Sequence, residues 1–167
     1  MTSSISKIDS YKTIAEAIVE DGKSRFGASG YSRVVFTNGC FDILHPGHIK
    51  LLKECRSLAG PKGAVVVGVN SDASVKRIKG PTRPFTDERS RCIMLISLKA
   101  VDYAATFDED TPLKMIEAIM PDVVVKGSDY RGKEVVGSKL AQVVLVNVEE
   151  GMSSTSIIDR IKNNVGV

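Results

Sequence analysis

Residues 33–70 read RVVFTNGCFDILHPGHIKLLKECRSLAGPKGAVVVGVN. A β-rich run, Arg33–Thr37, ends at the turn signal Asn38-Gly39. Pro46 to Ala59 carries Ile49, Leu51, Leu52 and Cys55 at helical spacing, with Pro at the first helical position and Gly60-Pro61 as the stop. Ala64–Asn70 is a continuous apolar run, the pattern of a strand covered on both faces. Strand, helix and strand in this order make one βαβ unit, the crossover that a parallel pair requires.

The alternation continues outward from that unit. Upstream, residues 11–26 (YKTIAEAIVEDGKSRF) place Ile14, Ala17 and Ile18 at helical intervals, and GASG at 27–30 is a linker. Downstream, Thr86–Leu98 is a helix capped by Thr86 with Asp87 and Glu88 in its first turn, and Val101–Ala105 is a strand. Thr111 caps a helix with Pro112 first and Ile116 and Ile119 facing inward, and Pro121-Asp122 stops it. Val123–Val125 and Val143–Val148 are strands, and Ser154–Lys162 is a final helix. The pattern predicts an α/β, Rossmann-like, doubly wound parallel sheet with right-handed crossovers. Residues 31–167 form this domain, preceded by an N-terminal helical extension and linker at 1–30.

Composition narrows the function classes. The 167 residues are 43% hydrophobic and 26% charged, ordinary for one soluble globular domain. Aromatics are 5% with no Trp, which disfavours a binder built on stacking platforms. The longest aliphatic stretch lies near Ala64–Val67, so no membrane span is expected, and Met1–Ser10 lacks the apolar core of a signal peptide. Cys40, Cys55 and Cys92 form no CxxC pair, against a disulfide framework or a zinc site, and point to a reducing cytoplasm. Net charge is only +3, but Lys76 to Arg91 holds six basic residues against two acidic ones. A basic loop of that size suits a small polyanion. No recognition-helix or aromatic feature supports nucleic acid.

In doubly wound sheets ligands sit outside the carboxyl ends of the strands. Asn38–His48, Asn70–Asp72, Lys126–Asp129 and Gly151–Ser156 each follow a strand. His45 and His48, the only histidines, fall three residues apart at the first turn of a helix. Free backbone N–H groups and the helix dipole favour an anion there, and the imidazoles would hydrogen-bond phosphate oxygens as charge builds on them. The structural alternative, a capping His45 and a solvated His48, accounts less well for both being in this strand–Gly–turn–helix context. A metal reading of H-x-x-H lacks an evident third ligand.

The segments GCFDILHPGH and GMSSTSII resemble the two signatures of the cytidylyltransferase-like nucleotidyltransferases. VNSDASVKRIKGPTRP (69–84), EDTPLKMIEAIMPDVVVKGSDY (109–130) and VEEGMSSTSIIDRI (148–161) resemble, more narrowly, the adenylyltransferases of ADP-heptose synthesis. The resemblance implies transfer of AMP from ATP to a sugar 1-phosphate, D-glycero-D-manno-heptose 1-phosphate, with release of pyrophosphate. It implies His45, His48 and Lys53 as catalytic residues. Asn38, Gly39, Cys40, Phe41, Asn70, Asp72, Lys79, Arg83, Arg89, Gly151, Ser153, Ser154 and Thr155 would bind nucleotide or phosphate, and Asp42, Lys126, Gly127 and Asp129 the acceptor. Each has a bland alternative. Cys40 is a small turn residue, Asp42 orients its loop, Lys53 is a surface lysine, Asn70 and Asp72 make an Asx turn and cap, Lys79 and Arg83 are solvated, and Ser153 or Ser154 is an N-cap. Arg77 and Arg91 read as surface.

The same resemblance implies Mg²⁺ bound with ATP and no dedicated protein cage. Bifunctional members carry a sugar kinase ahead of this domain. About 30 residues precede the first strand here, so a separate sugar kinase is the expected partner. A homodimer is expected, because Cys92–Leu98 is apolar on more than one face, although burial in the core would also explain that. Three other readings remain at this point: a CTP-dependent cytidylyltransferase for glycerol 3-phosphate or a similar small phosphate, an FAD synthetase-type adenylyltransferase, and a non-catalytic nucleotide-binding module.

Overall fold

Every residue of Ala64–Asn70 is buried, as its unbroken apolar run demands, and this strand lies inside a six-stranded sheet. The computed structural model describes residues 8–147 and 153–165. The strands are β1 (Ile8–Ser10), β2 (Val34–Gly39), β3 (Ala64–Asn70), β4 (Tyr103–Phe107), β5 (Val123–Gly127) and β6 (Gln142–Val146). They run parallel in the order β1-β4-β3-β2-β5-β6. The helices are α1 (Tyr11–Phe26), α2 (Pro46–Ala59), α3 (Asp72–Lys79), α4 (Glu88–Ile96), α5 (Leu113–Ile119) and α6 (Ser154–Val165).

The period-2 alternation of strand side chains divides the core into two layers. Val35, Val65, Val67 and Val69 pack on one face with Leu51, Leu52 and Cys55 of α2 and Cys92 and Leu95 of α4. Phe36, Val66, Ala105 and Val124 pack on the other with Ile14 and Ile18 of α1 and Met115 and Ile116 of α5. Handedness accounts for this split. Crossovers that step from β2 toward β4 place their helices on one face, and crossovers that step back toward β2 and β5 place theirs on the other. The sheet is therefore doubly wound, as the sequence predicts.

Strand order reverses at β2, whose neighbours are β3 (Val34↔Ala64 through Gly39↔Val69) and β5 (Val35↔Val123). The crevice at the carboxyl ends of β2 and β5 is the position where such sheets hold ligands.

Several local expectations change. Ile8–Ser10 joins the sheet beside β4, a pairing that three residues of sequence do not announce. The α1 helix that follows belongs to the same core, and its end is tied down by Asp21. The Asp21 Oδ2 accepts from Tyr31 Oη at 2.5 Å and from Tyr103 Oη at 2.6 Å. Lys76, Arg77 and Lys79 lie on helix α3 and not in a loop; Ser71 caps it by accepting from Ser74 N. With eight residues and only Val75 and Ser74 buried, α3 shows almost no apolar periodicity. Helix α4 starts one residue later than expected and is capped by Asp87, whose carboxylate accepts from Ser90 N; Thr86 does not cap it. Within α4, Cys92 and Leu95 are buried while Ile93 is 44% exposed, so core packing takes up most of its apolar surface. Helix α5 is preceded by Pro112 at its N-cap and not by Thr111.

Candidate active site

The loop after β2 sets the geometry. Gly39 ends the strand, and Phe41 adopts φ 49°, a left-handed conformation uncommon outside glycine and one that concentrates at functional sites. The chain turns into α2 with His45 at the N-cap, no side-chain capping bond, and Pro46 at a position where the missing N–H costs nothing. The His45 and His48 rings stack with centroids 3.7 Å apart and an interplanar angle of 27°. The Phe41 ring packs against His48 at 4.9 Å. Both Nδ1 atoms are buried without a hydrogen-bond partner. Burial lowers the His45 pKa, and burial together with the neighbouring His45 lowers that of His48 to about 4. Both imidazoles are therefore neutral near pH 7, each with one N–H to donate. The N–H groups of Gly47 and His48, in the first helical turn, have no intrahelical acceptor.

The segment after β3 closes one side. Asp42, 1% exposed, accepts from Arg83 Nε at 2.5 Å, Phe85 N at 2.8 Å and Thr86 N at 3.0 Å. Its carboxylate thus fixes the 83–86 segment, and the Arg83 Nη groups keep donors for a ligand. Arg91 is not a surface residue. It is fully buried and donates to Thr86 O at 2.9 Å, to Cys40 O, and to Asp72 Oδ1 at 2.8 Å. One guanidinium thereby joins the loop after β2, the start of α3 and the start of α4. No periodicity reveals this, because its neighbours in sequence are mostly polar.

The other side comes from β5 and α6. Lys126, 5% exposed, donates from Nζ to Asn38 Oδ1 at 2.5 Å and lies 4.8 Å from the Tyr130 ring centroid. Burial lowers its pKa to about 8 against an opposing influence from Asp129. Ser153 Oγ accepts from Ser156 N at 3.0 Å, an N-cap, and Ser154 Oγ donates to Ile43 O at 3.1 Å, which pins the head of α6 to the loop after β2. Asn70 Nδ2 donates to Ser74 Oγ at 3.1 Å, so it also braces α3. Burial raises the Cys40 pKa and keeps its thiol protonated, which fits a turn residue better than a nucleophile.

These groups surround one cleft of about 850 Å³. Of the residues expected from sequence, the cleft is lined by Asn38, Gly39, Cys40, Phe41, Asp42, His45, His48, Asn70, Lys79, Arg83, Lys126, Gly127, Asp129, Ser153, Ser154 and Thr155. Lys53 instead lines an adjoining depression with Leu44, His45 and Pro46. Asp72 is held by Arg91, and the exposed Arg89 lies on α4 outside the cleft. Gly151 lies outside the described residues. Tyr130 also lines the cleft, and sequence reading missed it; the only signal was its place one residue after Asp129. Among the described residues, no three His, Cys, Asp or Glu side chains gather as a metal site.

A neutral His pair at a helix N-terminus, cations on both flanks and a strand-reversal crevice make a site for a phosphate chain. Residues 36–160 match the cytidylyltransferase-like family model. The chain belongs to the cytidylyltransferase-like family. Within that family it is 52% identical over 146 residues to the bifunctional protein HldE of Campylobacter concisus, covering 87% of this chain and 30% of that protein. It is 51% identical over 131 residues to bifunctional protein HldE of Helicobacter pylori, covering 78% of this chain and 28% of that protein. The chain thus spans less than a third of the length of these relatives. A solved structure described as the lipopolysaccharide core biosynthesis protein of Thermoplasma volcanium superposes with a TM-score of 0.60 at 34% identity, covering 71% of this chain and 98% of that one. Pantoate-beta-alanine ligase of Francisella tularensis, at 11% identity and a TM-score of 0.58 over 92% of this chain and 72% of that one, shares the fold.

Proposed function

We propose that this cytidylyltransferase-like domain transfers AMP from ATP to a sugar 1-phosphate, D-glycero-D-manno-heptose 1-phosphate, giving ADP-heptose and pyrophosphate. The observation that carries the transfer chemistry is the stacked, neutral His45–His48 pair at the head of α2, inside the crevice where the strand order reverses. The identity near 50% to bifunctional HldE proteins, and the likeness to a lipopolysaccharide core biosynthesis protein, support the heptose acceptor.

The reaction needs no covalent enzyme intermediate. An oxygen of the acceptor phosphate attacks the α-phosphorus, and pyrophosphate leaves in line. His45 and His48 donate hydrogen bonds to the α-phosphate oxygens as their charge grows, with the Gly47 and His48 N–H groups beside them. Lys79 and Arg83 line the cleft after β3 and would hold the departing pyrophosphate. The α6 head, through Ser153, Ser154 and Thr155, would border the nucleotide. Mg²⁺ bound with ATP would neutralise triphosphate charge; Asp129 and Asp110 are the exposed carboxylates on the cleft wall that could meet its waters.

Among the described residues no helix is long and apolar enough to cross a membrane. The reading places the protein in the cytoplasm, where ATP is available, downstream of a kinase that makes the sugar 1-phosphate. A homodimer, read by sedimentation, belongs to the same proposal.

Pyrophosphate release from ATP, CTP, GTP and UTP, each with heptose 1-phosphate or glycerol 3-phosphate, tests the reading. ATP with heptose 1-phosphate should lead, with kcat/KM for ATP exceeding that for CTP by at least about 10²-fold, since the wrong base leaves polar groups of the site unpaired. Preference for CTP with glycerol 3-phosphate would overturn it.

A further inference from the structure

Lys126 is the buried cation for which the transfer chemistry above has no use. It is the fourth residue of β5, across from Leu145 of β6. Its ammonium has three N–H donors, and its partners are the amide oxygen of Asn38 and the face of Tyr130, both uncharged. Among the described residues no carboxylate forms an ion pair with it, and the influence of Asp129 does not overcome burial. Keeping an ammonium in such surroundings without a counter-charge is costly. A ligand anion in the cleft that Lys126 lines would supply the missing charge.

Its place in the sheet indicates which anion. The His pair hangs from the end of β2. Lys79 and Arg83 follow β3, on one side of β2, and Lys126 ends β5, on the other. Displacement at phosphorus puts the attacking and leaving oxygens in line on opposite sides. We propose that Lys126, with Asn38 and Tyr130, forms the subsite for the attacking phosphate of the acceptor, and so selects a phosphate ester over an acceptor lacking that dianion. The proposal rests on the adenylyl-transfer reading. The acceptor oxygen forms its bond to the α-phosphorus, the bond from that phosphorus to the bridging oxygen breaks, and pyrophosphate carries away the electron pair. Lys126 gives up no proton; its charge holds the acceptor phosphate as the nucleophilic dianion, whose second ionisation falls near pH 6.

Lys126→Met keeps the aliphatic stem and removes the charge. The KM for heptose 1-phosphate should rise about 10- to 100-fold, the loss of one charge-assisted hydrogen bond, while the KM for ATP changes less than about twofold. The thermal midpoint should stay level or rise, because an uncompensated buried charge is gone. Phosphorus NMR titration with heptose 1-phosphate, and with inorganic phosphate, should show binding to the wild-type chain and its loss in the variant. Unchanged acceptor KM, a lowered thermal midpoint with both KM values rising together, or equal phosphate binding by the two chains would overturn the Lys126 assignment. Absence of pyrophosphate release by the wild-type chain would overturn the functional reading instead, and the NMR titration would still decide whether Lys126 holds a phosphate.

Discussion

His48 concentrates the chemistry of single residues in this protein. Its ring is clamped between Phe41 and His45, so its remaining donor is aimed before substrate arrives. Removing a preorganised donor to a developing oxyanion costs about 10²–10³ in kcat, and His48→Ala should lose at least that much with little change in ATP affinity. Steady-state kinetics paired with equilibrium ATP binding check this; near-normal turnover in a folded variant would remove His48 from the mechanism. The same burial has a consequence for stability. In the unfolded chain His48 takes up a proton near its ordinary 6.5, but the folded chain resists until about 4. Unfolding therefore binds a proton in this window, and stability is full above about pH 6.5 and declines as pH falls toward 4. At about 1.36 kcal/mol per pKa unit, and allowing for partial exposure of the ring, the loss by pH 5 is about 1–2 kcal/mol. Urea midpoints at pH 7 and pH 5 should show this drop, and His48→Gln should show a smaller one.

Elements meet in this fold through buried charge as much as through apolar packing. Arg91 on α4 reaches the loop after β2 by Cys40 O and the start of α3 by Asp72. Asp42 on that loop reaches back to Arg83 and to two N–H groups before α4. Together they lash the His-bearing loop to the basic segment, which are separate elements in sequence. Arg91→Met leaves Asp72 and two carbonyls without their donor, so it should destabilise the domain by about 3–5 kcal/mol, the range for breaking a buried pair. Chemical denaturation measures it. A loss under about 1 kcal/mol would show that the network does not hold these elements together. Short helix α3 was hidden from the sequence for a related reason. Its position comes from the Ser71 cap and the Asn70–Ser74 bond and not from an apolar stripe.

For the whole molecule, the two-layer core sets what can be removed. Ile14 of α1 is fully buried against Phe36, Tyr103 and Met115 in the layer that α1 shares with α5. Ile14→Ala should therefore cost about 2–5 kcal/mol in a single cooperative unfolding transition. A separate early transition, or a loss below about 1 kcal/mol, would mark residues 11–26 as an appendage to the domain. The sheet class, the positions of α2 and β3, and the loop carrying His45 and His48 were legible in the sequence. They depend on local signals: a Pro at a helix start, Gly-Pro at its end, an apolar run between turns, and a period that differs between strand and helix. The pairing of β1, the cap of α4 and the burial of Arg91 were not legible, because each depends on a partner brought near by the fold: β4, Ser90 and the carbonyls of Thr86 and Cys40. The cleft divides in the same way. Its phosphate-binding strand–turn–helix is written in consecutive residues, since a helix N-terminus attracts anions wherever it forms. The exclusion of Lys53, Asp72 and Arg89, and the placing of Lys126 across β2 from Lys79 and Arg83, follow only from strand order and side-chain direction, which arise when distant segments pack together.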